Sequence, residues 1–375
     1  MTKLTMHTIS EPEKIVEIQP DLDAFVRKNT TNPFMLSAFI KETMKTMERS
    51  KEHMPLILVF RADSNIVGLA PLKLKLNLRF AEWLFSYAFS PDFIFDNAYR
   101  EVCMQKSVEV IFNAHYNFLM LDIPENSSNR DLLAAVSKNK KLRLQLEENA
   151  NLNHYLISVD NEWSKFEKRQ GAKFRHHFKK IETKLNKHGS WRIVPYEGLK
   201  NEEETLQKIS EIEKHSWKQK WRSQNNLLFD EDLLMLWAAS NSATRSFPDF
   251  KRYVRFLELN DQPIAYSMAI QYRDRGYIVK TSYNAQYRKL YPSIYALNET
   301  IKDFFNKKVS TIDFMTALPF MTRWTSDNQG RLRGLISKGA LPNLIIRSLH
   351  QPLLRKTAWK LSNTNSSSAF LLNRI

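Results

Sequence analysis

The stretch YNAQYRKLYPS, residues 283–293, decides how the second half of the chain folds. Before it, Tyr277–Tyr283 has the composition of a β-strand, and after it the apolar pattern from Pro292 to Asn306 predicts a helix. Proline suits the first position of a helix because its φ angle is already helical, and Ser293 is predicted to cap that helix. The stretch is therefore predicted to be a short basic loop between a strand and a helix start.

This loop is a candidate anion site. The backbone N–H groups of a first helical turn have no partner within the helix, and they carry the positive end of the helix dipole. Arg288 and Lys289 add two cations beside them. The pattern predicts that a phosphate or pyrophosphate binds at this helix start. An ordinary strand–helix connection has the same pattern, so the residues alone leave both interpretations open.

Helices and strands alternate on both sides of this loop. Turn residues at Asp63-Ser64-Asn65 predict a hairpin, and turns at Asn260-Asp261 and Arg273–Arg275 link the strands that precede the loop. This order predicts an α/β (α+β) fold of mixed sheets flanked by helices, in two halves of similar element order. The predicted helices include Pro33–Glu48, Val102–His115, 129–145, 202–221 and Pro292–Asn306. The predicted strands include Leu56–Phe60, Ile66–Ala70, Phe118–Ile123, Tyr155–Val159, Trp191–Tyr196, Tyr253–Leu259, Ile264–Tyr272, Tyr277–Tyr283 and Thr311–Met315.

Length and glycine content limit the class of protein. The 375 residues are enough for two domains, and 43% of them are hydrophobic, which is enough for sizeable cores. Only eight residues are glycine, and neither G-x-G-x-x-G nor G-x-x-x-x-G-K-[ST] occurs in the sequence. Classical dinucleotide-binding enzymes, P-loop NTPases and protein kinases are therefore disfavoured.

Cysteine and histidine patterns predict neither a disulfide nor a metal site. Cys103 is the one cysteine and lies in an apolar run, which fits a reducing cytoplasmic compartment. No H-E-x-x-H sequence occurs, and the adjacent side chains of His176 and His177 would diverge by about 100° on a helix. The N-terminus has no signal-peptide pattern, and no apolar run approaches the ~20 residues of a membrane helix. We therefore expect a cytoplasmic protein without a bound metal.

The net charge of +16 is concentrated in two segments. Residues 161–193 hold ten Lys and Arg against three Glu, and residues 331–375 hold eight Lys and Arg and no acid. In the first segment Phe174, Phe178 and Ile181 form the apolar stripe of a helix. Its basic residues are interpreted either as the solvated face of a packed helix or as a surface that recruits a polyanion.

The C-terminal segment interleaves apolar and basic residues. Leu344-Ile345-Ile346 and Leu353-Leu354 alternate with Arg347 and Arg355, a pattern typical of an amphipathic segment on an anionic membrane surface. A C-terminal helix packed on the body of the protein has the same pattern. Both interpretations stay open for the basic tail, which we define as residues 337–375.

Seven short stretches occur in an order that is known from one family. They are Ile66–Leu72, Ser90–Phe93, the basic stretch Arg169–Gly189, Glu213–Lys218, Leu257–Ala265, Tyr283–Ile294 and Thr311–Phe314. Together they resemble the CelD-like (BioF-like) acetyltransferases, which belong to the GNAT superfamily and are related to the FemABX transferases. The resemblance covers roughly residues 30–335.

The resemblance implies two GNAT-like domains in tandem, each a mixed, mostly antiparallel sheet flanked by helices. Residues 1–160 are expected to form a pseudo-domain, residues 161–336 the acyltransferase domain, and the basic tail follows. The resemblance also implies that acyl-CoA is the co-substrate and that its acyl group, usually acetyl, moves by direct attack of an amine or hydroxyl. The usual context of the family suggests a small-molecule or glycan acceptor, such as a sugar, polysaccharide or envelope precursor.

Three residues are candidates for catalysis in such a reaction. Direct transfer needs a general base for the acceptor, and a hydroxyl group can protonate the leaving thiolate. Tyr283, at the end of a strand, is the candidate donor to the sulfur. Asp313 is a lone acid in an apolar strand, where burial would raise its pKa toward that of a useful base. Glu258 is a second candidate carboxylate, and its apolar neighbours also allow a solvent-facing position.

Two groups of binding residues complete the predicted site. The loop residues expected to bind the CoA pyrophosphate are Arg288, Lys289, Tyr291, Pro292 and Ser293. The residues expected to shape the acceptor pocket are Trp217, Lys218, Arg175 and Arg323. The loop differs from the family pattern because it contains no glycine, and Pro292-Ser293 stands where relatives often have Pro-Gly.

Two other functions are compatible with the same residues. A FemABX-like aminoacyl transferase would use charged tRNA, with the basic helix on the RNA phosphates. Against it, the sequence shows no long inserted coiled-coil arm between the helix at 202–221 and the strand at Tyr253. A non-catalytic GNAT-like module would instead bind a carrier protein, or the inner face of a membrane through the basic tail. Nucleic acid other than tRNA is not expected.

Overall fold

The computed structural model describes residues 3–48, 50–114, 116–160, 162–219 and 231–338. In these ranges no helix combines the length and the apolar character that crossing a membrane requires. The basic tail beyond Lys338 lies outside the described residues, so its predicted membrane contact stays a prediction.

The first half of the chain alternates helices and strands. Its strands are β1 (Leu4–Ile9), β2 (His53–Ala62), β3 (Asn65–Lys75), β4 (Phe80–Trp83), β5 (Ile94–Phe95), β6 (Phe118–Pro124), β7 (Arg143–Glu148) and β8 (His154–Ser158). Its helices are α1 (Pro12–Glu17), α2 (Gln19–Asn29), α3 (Ser37–Met47), α4 (Arg100–Asn113) and α5 (Asn129–Asn139). The predicted hairpin is confirmed, because β2 and β3 pair antiparallel around Asp63-Ser64.

The second half continues this alternation. Its strands are β9 (Trp191–Glu197), β10 (Phe250–Leu259), β11 (Gln262–Tyr272), β12 (Arg275–Tyr283), β13 (Thr311–Asp313), β14 (Asn328–Gln329) and β15 (Arg331–Ser337). Its helices are α6 (Trp163–Asn186), α7 (Glu202–Lys214), α8 (Glu231–Ser246) and α9 (Pro292–Asn306). The last helix has the predicted bounds, with proline in its first position as expected.

Each sheet contains one strand from the opposite half of the chain. The first sheet has the order β1-β2-β3-β4-β6-β15-β7, with β5 paired to β3, and the second has the order β14-β8-β13-β12-β11-β10-β9. β15 therefore lies between β6 and β7, and β8 lies next to β13. The predicted boundary between residues 160 and 161 does not coincide with the division between the sheets. The predicted domain ranges, residues 1–160, 161–336 and the basic tail, therefore stay a prediction.

Both sheets are mostly antiparallel. Among the described strands, the parallel pairs are β4 with β6 and β12 with β13. Helices cover the sheets, because their apolar faces must be buried against a second layer. The predicted mixed α/β architecture is confirmed.

Three hydrophobic cores hold these layers together. Cys103 and its neighbours on α4 pack against the first sheet, where burial raises the pKa of the thiol to about 12. A second core joins the halves, because Ile57 of β2 and Phe256 of β10 belong to it together. A third core lies between the second sheet and the helices α6 and α9, with Phe178 and Phe304 at its centre. The thiol of Cys103 is therefore a packing group rather than a nucleophile.

The helix α6 carries the first basic segment. Gly171, with a φ of +85°, interrupts it and divides it into two helical pieces. Phe174, Phe178, Ile181 and Leu185 are buried on one side of the second piece, as their spacing predicts. The basic residues consequently occupy the remaining faces of α6.

Three predicted elements end earlier in the structure. The helix predicted at 202–221 ends at Lys214, and Ser216 then forms an isolated β-bridge with Asn284. The other two elements end near residues in the left-handed conformation. The helix predicted at 129–145 ends at Asn139, because Lys141 takes the left-handed backbone conformation and the chain then enters β7. The strand predicted at Thr311–Met315 ends two residues early, and Met315 likewise has a φ of +57°. In both cases a residue in the left-handed backbone conformation changes the direction of the chain. The periodicity of apolar side chains does not indicate where such a residue lies.

Gly276 allows α9 to pack closely on β12. A β-carbon at this position would lie 2.8 Å from the ring carbons of Phe304, closer than folded proteins tolerate. Gly276→Ala is therefore expected to lower the free energy of unfolding by about 1–3 kcal/mol, because the buried ring has to move. Urea-induced unfolding measures this change. In a Phe304→Leu background the same substitution should cost less, and an equal cost in both backgrounds would contradict the explanation.

Candidate active site

The strands β12 and β13 pair over three residues and then separate. Arg275–Tyr277 pairs in parallel with Thr311–Asp313, whereas β12 continues to Tyr283. Just beyond the last pair, the register between β11 and β12 shifts and leaves Val279 as an extra residue. Such a bulge bends its strand and increases the twist. A gap therefore opens between the two strands beyond Tyr277.

The register also shows which backbone groups of β12 face the gap. The N–H of Asn284 donates to the carbonyl oxygen of Ile264 at 2.8 Å, so these two residues form a directly bonded pair. Bonded and non-bonded pairs alternate along an antiparallel ladder. The backbone groups of Thr281 and Tyr283 therefore point away from β11 and toward the gap. They face a substrate that enters it.

The segment His215–Lys218, which follows α7, lies along this open edge. A backbone N–H of the loop after β12 donates to the carbonyl oxygen of His215 at 2.9 Å. The Nζ of Lys218 donates to the carbonyl oxygen of Thr281 at 3.2 Å. The indole of Trp217 is 57% exposed, which is unusual for tryptophan. The structure thus places Trp217 and Lys218 at the gap, and their role in acceptor binding stays a prediction.

A cavity of about 450 Å³ lies between the two halves of the chain, beside the point where β12 and β13 separate. Tyr277 and Asp313, the last paired residues of these strands, line it from the second sheet. Burial raises the pKa of Tyr277, whose hydroxyl donates to the carbonyl oxygen of Thr31 at 2.9 Å. The first half contributes both polar and aromatic walls, including Asn32, Ser90, Asn129, Phe34, Phe89 and Phe93.

Asp313 is a buried carboxylate at the inner wall of this cavity. It accepts a hydrogen bond from the N–H of Met315 at 2.6 Å, and Nδ1 of His154 lies 3.3 Å from its Oδ2. His154 comes from β8 and is 1% exposed, and its Nε2 has no hydrogen-bond partner within the described residues. A carboxylate and an imidazole thus meet beside a cavity, an arrangement that can accept and hold a proton.

A second carboxyl group, that of the partly buried Asp92, lies on the opposite wall. It accepts hydrogen bonds from Oγ of Ser127 at 2.5 Å and from Nδ2 of Asn129 at 3.0 Å, and burial raises its pKa. Arg331 of β15 is buried nearby, which lowers its pKa, and it donates to the hydroxyl of Ser90. Across the described residues, no group of three or more His, Cys, Asp or Glu side chains is arranged to hold a metal ion.

The loop after β12 has the predicted helix-start geometry, with one correction. Oδ1 of Asn284 accepts from the N–H of Gln286 at 3.0 Å and begins a tight helical turn. Tyr291 then takes a left-handed conformation, with a φ of +54°, and Pro292 begins α9. The prediction that Ser293 caps the helix is wrong, because the proline already starts it and Ser293 lies inside the first turn. The residue before the helix, Tyr291, makes no side-chain capping bond either.

Basic side chains from three elements surround this helix start. We call them the basic cluster: Lys180 and Lys184 on α6, Arg288 and Lys289 on the loop, and Arg323 on a tight helical turn after β13. The Nζ of Lys184 donates to the carbonyl oxygen of Lys289 at 2.9 Å. Burial, together with the charges of Arg323, Lys180 and Lys184, lowers the pKa of His177. No described carboxylate pairs with a residue of the basic cluster, so its positive charge is available to an anion.

The three predicted catalytic residues do not share one centre. Tyr283 lies six residues beyond the β12 partner of Asp313, which corresponds to about 20 Å along an extended strand. The carboxylate of Glu258 is buried on β10 and pairs with Arg192 and Lys208, both at 2.9 Å. Asp313 is therefore the candidate that faces the cavity, and the roles of Tyr283 and Glu258 stay predictions.

The two predicted acceptor-site arginines lie apart from each other. Arg323 belongs to the basic cluster, at the helix start. Arg175 is exposed and lies nine residues before Lys184, so it projects from the opposite side of α6. Neither side chain lines the cavity.

Residues 172–320 match a family model described as an acetyltransferase (GNAT) domain. This GNAT segment contains the gap, the loop before α9, Asp313 and four of the five residues of the basic cluster, because Arg323 lies just beyond its end. The match covers less than half of the chain; it supports a GNAT-type domain around the gap and leaves the donor, the acceptor and the narrower family open. Comparison with curated proteins gives no match.

Solved structures extend the likeness over both halves. FemX aligns with a TM-score of 0.55 at 10% identity, over 91% of this chain and 99% of that one. The C-terminal domain of a protein described as a lysylphosphatidylglycerol synthetase from Agrobacterium fabrum aligns with a TM-score of 0.52 at 10% identity, over 90% and 95%. A protein of unknown function from Bacteroides thetaiotaomicron aligns with a TM-score of 0.50 at 11% identity. The alignment covers 90% of this chain and 100% of that one. At such identities the likeness concerns the fold, and the predicted tandem GNAT-like fold is confirmed.

Proposed function

We propose that the chain is an acyltransferase that moves an acyl group from acyl-CoA to an amine or hydroxyl of a sugar-type acceptor. The sugar, polysaccharide or envelope precursor follows from the resemblance to the CelD-like enzymes. The observation that carries the proposal is the position of the gap in the GNAT segment. It lies between the basic cluster at the carboxyl end of β12 and the cavity beside Asp313, so a donor and an acceptor arriving from these two regions would meet there.

The donor side is built for an extended molecule with phosphates at one end. The diphosphate of CoA carries the charge that the basic cluster and the start of α9 attract. The pantetheine arm contains amide groups, and it would bond to the backbone groups of Thr281 and Tyr283 that face the gap, as an added strand does. The loop forms this helix start without a glycine, because Tyr291 takes the left-handed conformation instead.

The residues that line the acceptor side suit a polar ligand that contains a ring. The cavity volume of about 450 Å³ is within the range of small-molecule sites. Asn32, Asn129 and Ser90 offer amide and hydroxyl groups, and aromatic rings cover the rest of the wall. Arg100 and Arg275 also line the cavity, which favours an acceptor with an anionic substituent.

Asp313 is the proposed general base. The acceptor nitrogen or oxygen attacks the thioester carbonyl carbon and loses a proton to the carboxylate of Asp313. Collapse of the tetrahedral intermediate then restores the carbonyl and releases the thiolate of CoA. His154 holds the carboxylate in place through its Nδ1 contact.

Thermal-shift titration with acetyl-CoA tests the donor assignment. We expect the unfolding midpoint to rise with acetyl-CoA concentration, because a ligand that binds the folded state stabilises it, by about 2.7 kcal/mol at 100 times Kd. The rise should shrink in high salt and in a Lys180→Met/Lys184→Met variant. An Arg175→Met/Lys179→Met variant removes equal charge from another side of α6 and should keep the rise. No stabilisation by any acyl-CoA at millimolar concentration would rule out this donor.

One observation favours a second candidate, an aminoacyl transferase that uses charged tRNA. The basic residues of α6 extend beyond the basic cluster, and Tyr291 and Trp217 are 48% and 57% exposed beside the gap. Exposed aromatic rings next to cations are typical of surfaces that bind single-stranded nucleic acid. Direct binding of tRNA, with an affinity that falls steeply with salt, would support this function. Binding of acetyl-CoA without tRNA binding would support the first.

A further inference from the structure

The geometry points to His177 as a residue that takes up a proton when the diphosphate of the donor binds at the start of α9. The inference deepens the proposed function and rests on it, because it requires an anion among the residues of the basic cluster. Its consequence is that the affinity of the site for the donor depends on pH, through one histidine of α6.

His177 belongs to the face of α6 that is turned toward the start of α9. Residues three and seven positions apart lie on one side of a helix, so His177 shares this face with Lys180 and Lys184. The Nζ of Lys184 lies 4.8 Å from the ring centroid of Tyr291, the residue that precedes α9. The ring of His177 contacts the same tyrosine, with 6.0 Å between the two centroids. The imidazole and the ammonium group therefore meet at one aromatic ring, beside the helix start that would bind the diphosphate.

The charges that face His177 are positive. Lys180 and Lys184 face it from its own helix, and Arg323 faces it from the tight turn after β13. The start of α9 contributes the ring of Tyr291, and the other two cations of the basic cluster lie on the loop before it. Burial, followed by the charges of Arg323, Lys180 and Lys184, lowers the pKa of His177 from its usual value of about 6.5. Without a bound anion the imidazole is therefore mostly uncharged at neutral pH.

No contact within the described residues fixes the protonation state of this imidazole. Its Nε2 is buried and has no hydrogen-bond partner there. None of the described carboxylates forms an ion pair with His177, so the surrounding charge decides whether the ring is protonated. A ligand that changes the surrounding charge should consequently change the protonation of His177.

A bound diphosphate reverses the sign of that surrounding charge. Two negative charges among the cations of the basic cluster favour the charged imidazole and raise its pKa. Protonation of His177 and binding of the anion then favour each other, so the affinity rises as the pH falls. The rise is confined to the interval between the lowered pKa of the free protein and the higher pKa of the complex. It amounts to about tenfold for each unit by which binding raises the pKa.

Isothermal titration calorimetry with dephospho-CoA tests the inference without a known acceptor. This probe contains the diphosphate but no phosphate monoester, so the probe itself does not titrate near neutral pH. In two buffers with different enthalpies of ionisation, at about pH 6.5, the unaltered protein should take up a fraction of one proton for each dephospho-CoA bound. The affinity should increase several-fold as the pH falls from about 8 to about 6.

Two neighbouring histidines provide the variant and its control. His177→Gln should abolish the proton uptake and flatten the dependence of affinity on pH, because glutamine does not titrate and remains compatible with a helix. His176→Gln is the matched control, because His176 is exposed and points about 100° away along the same helix. This control should leave the proton uptake unchanged. The NMR resonances of ¹³C-labelled histidine rings give a second readout: the one that is lost in His177→Gln should titrate at higher pH in the complex.

The outcomes separate the inference from the proposed function. Binding of dephospho-CoA without proton uptake overturns the inference and leaves the donor assignment standing. Uptake that persists in His177→Gln overturns it as well, because another group then takes the proton. If neither dephospho-CoA nor acetyl-CoA binds, the donor assignment fails and the inference fails with it. If His177→Gln does not fold, the nine histidines of the unaltered protein decide: the inference is overturned when none of them titrates at higher pH in the complex.

Discussion

Asp313→Asn is expected to lower kcat for acyl transfer by about 10²–10⁴-fold, the range for removal of a general base. The amide keeps the size of the carboxylate and can still accept a hydrogen bond from the N–H of Met315, but it cannot take a proton from the acceptor. Binding of acetyl-CoA should change little, because Asp313 lies at the cavity end of the gap and the basic cluster lies at the other. The loss should therefore appear in kcat rather than in the affinity for the donor.

Release of CoA, followed with a thiol reagent and the acceptor that supports turnover, measures this loss. Asp327→Asn is a suitable control, because Asp327 is an exposed acid that does not line the cavity. A thermal-shift titration confirms that each variant still binds acetyl-CoA. If Asp313→Asn keeps more than a tenth of the original kcat, the base lies elsewhere, and Asp92 on the opposite wall becomes the next candidate.

Ending the chain after Gly330 is expected to prevent the first half from folding. The deletion removes β15, which bonds β6 over Arg331–Ser337 and bonds β7 on its other side. It also removes Ile336 from the core and leaves two new sheet edges, whose backbone groups lose their partners. The stabilising free energy lost with the strand exceeds the free energy of unfolding of a typical domain, which is ~5–15 kcal/mol. The cavity should disappear too, because Arg331 lies behind its wall.

Circular dichroism and urea-induced unfolding distinguish this outcome from a tolerated deletion. A chain that ends after Lys338 is the matched control, because it keeps β15 and should retain a cooperative transition. A point variant gives a graded form of the same test: Ile336→Ala should cost about 2–5 kcal/mol, whereas Leu318→Ala, at a position that is 47% exposed, should cost far less. A cooperative transition with an unchanged midpoint after deletion of β15 would show that the strand exchange is incorrect.

Local elements of the fold could be predicted from the sequence because their determinants are local. Pro292 fixes a helical φ angle, and the helix that it starts has the predicted bounds. The turn at Asp63-Ser64 separates two apolar runs, and the hairpin forms there. The apolar stripe of α6 follows from a spacing of three and four residues. Each of these predictions depends on neighbours within one or two turns of the chain.

The exchange of strands could not be predicted because alternation along a strand does not identify its partner. Arg331 and Arg333 belong to a segment whose basic residues suggested a surface tail. In the structure Arg331 is buried, and Arg333 pairs with Asp122 at 2.8 Å. These contacts join residues more than 200 positions apart, and nothing in the local sequence encodes them. Two charges that were counted with the C-terminal basic segment are therefore structural.

The site shows the same division between local and distant determinants. Arg288 and Lys289 were predicted beside the helix start, and they lie there because the loop itself carries them. His154 was not predicted, because it meets Asp313 only through the pairing of β8 with β13, across 159 residues. Asp92 was likewise missed as a site residue: Ser90–Phe93 belongs to a stretch of family resemblance, but its position on the cavity wall is a property of the tertiary fold.

A crystal structure of the chain with a non-hydrolysable acetyl-CoA analogue tests the central claim most directly. The account predicts that the diphosphate lies at the start of α9 among the residues of the basic cluster. It predicts that the acyl carbonyl lies in the gap between β12 and β13 and faces the cavity beside Asp313. An analogue bound outside the GNAT segment, or one whose acyl group does not enter the gap, would contradict the account.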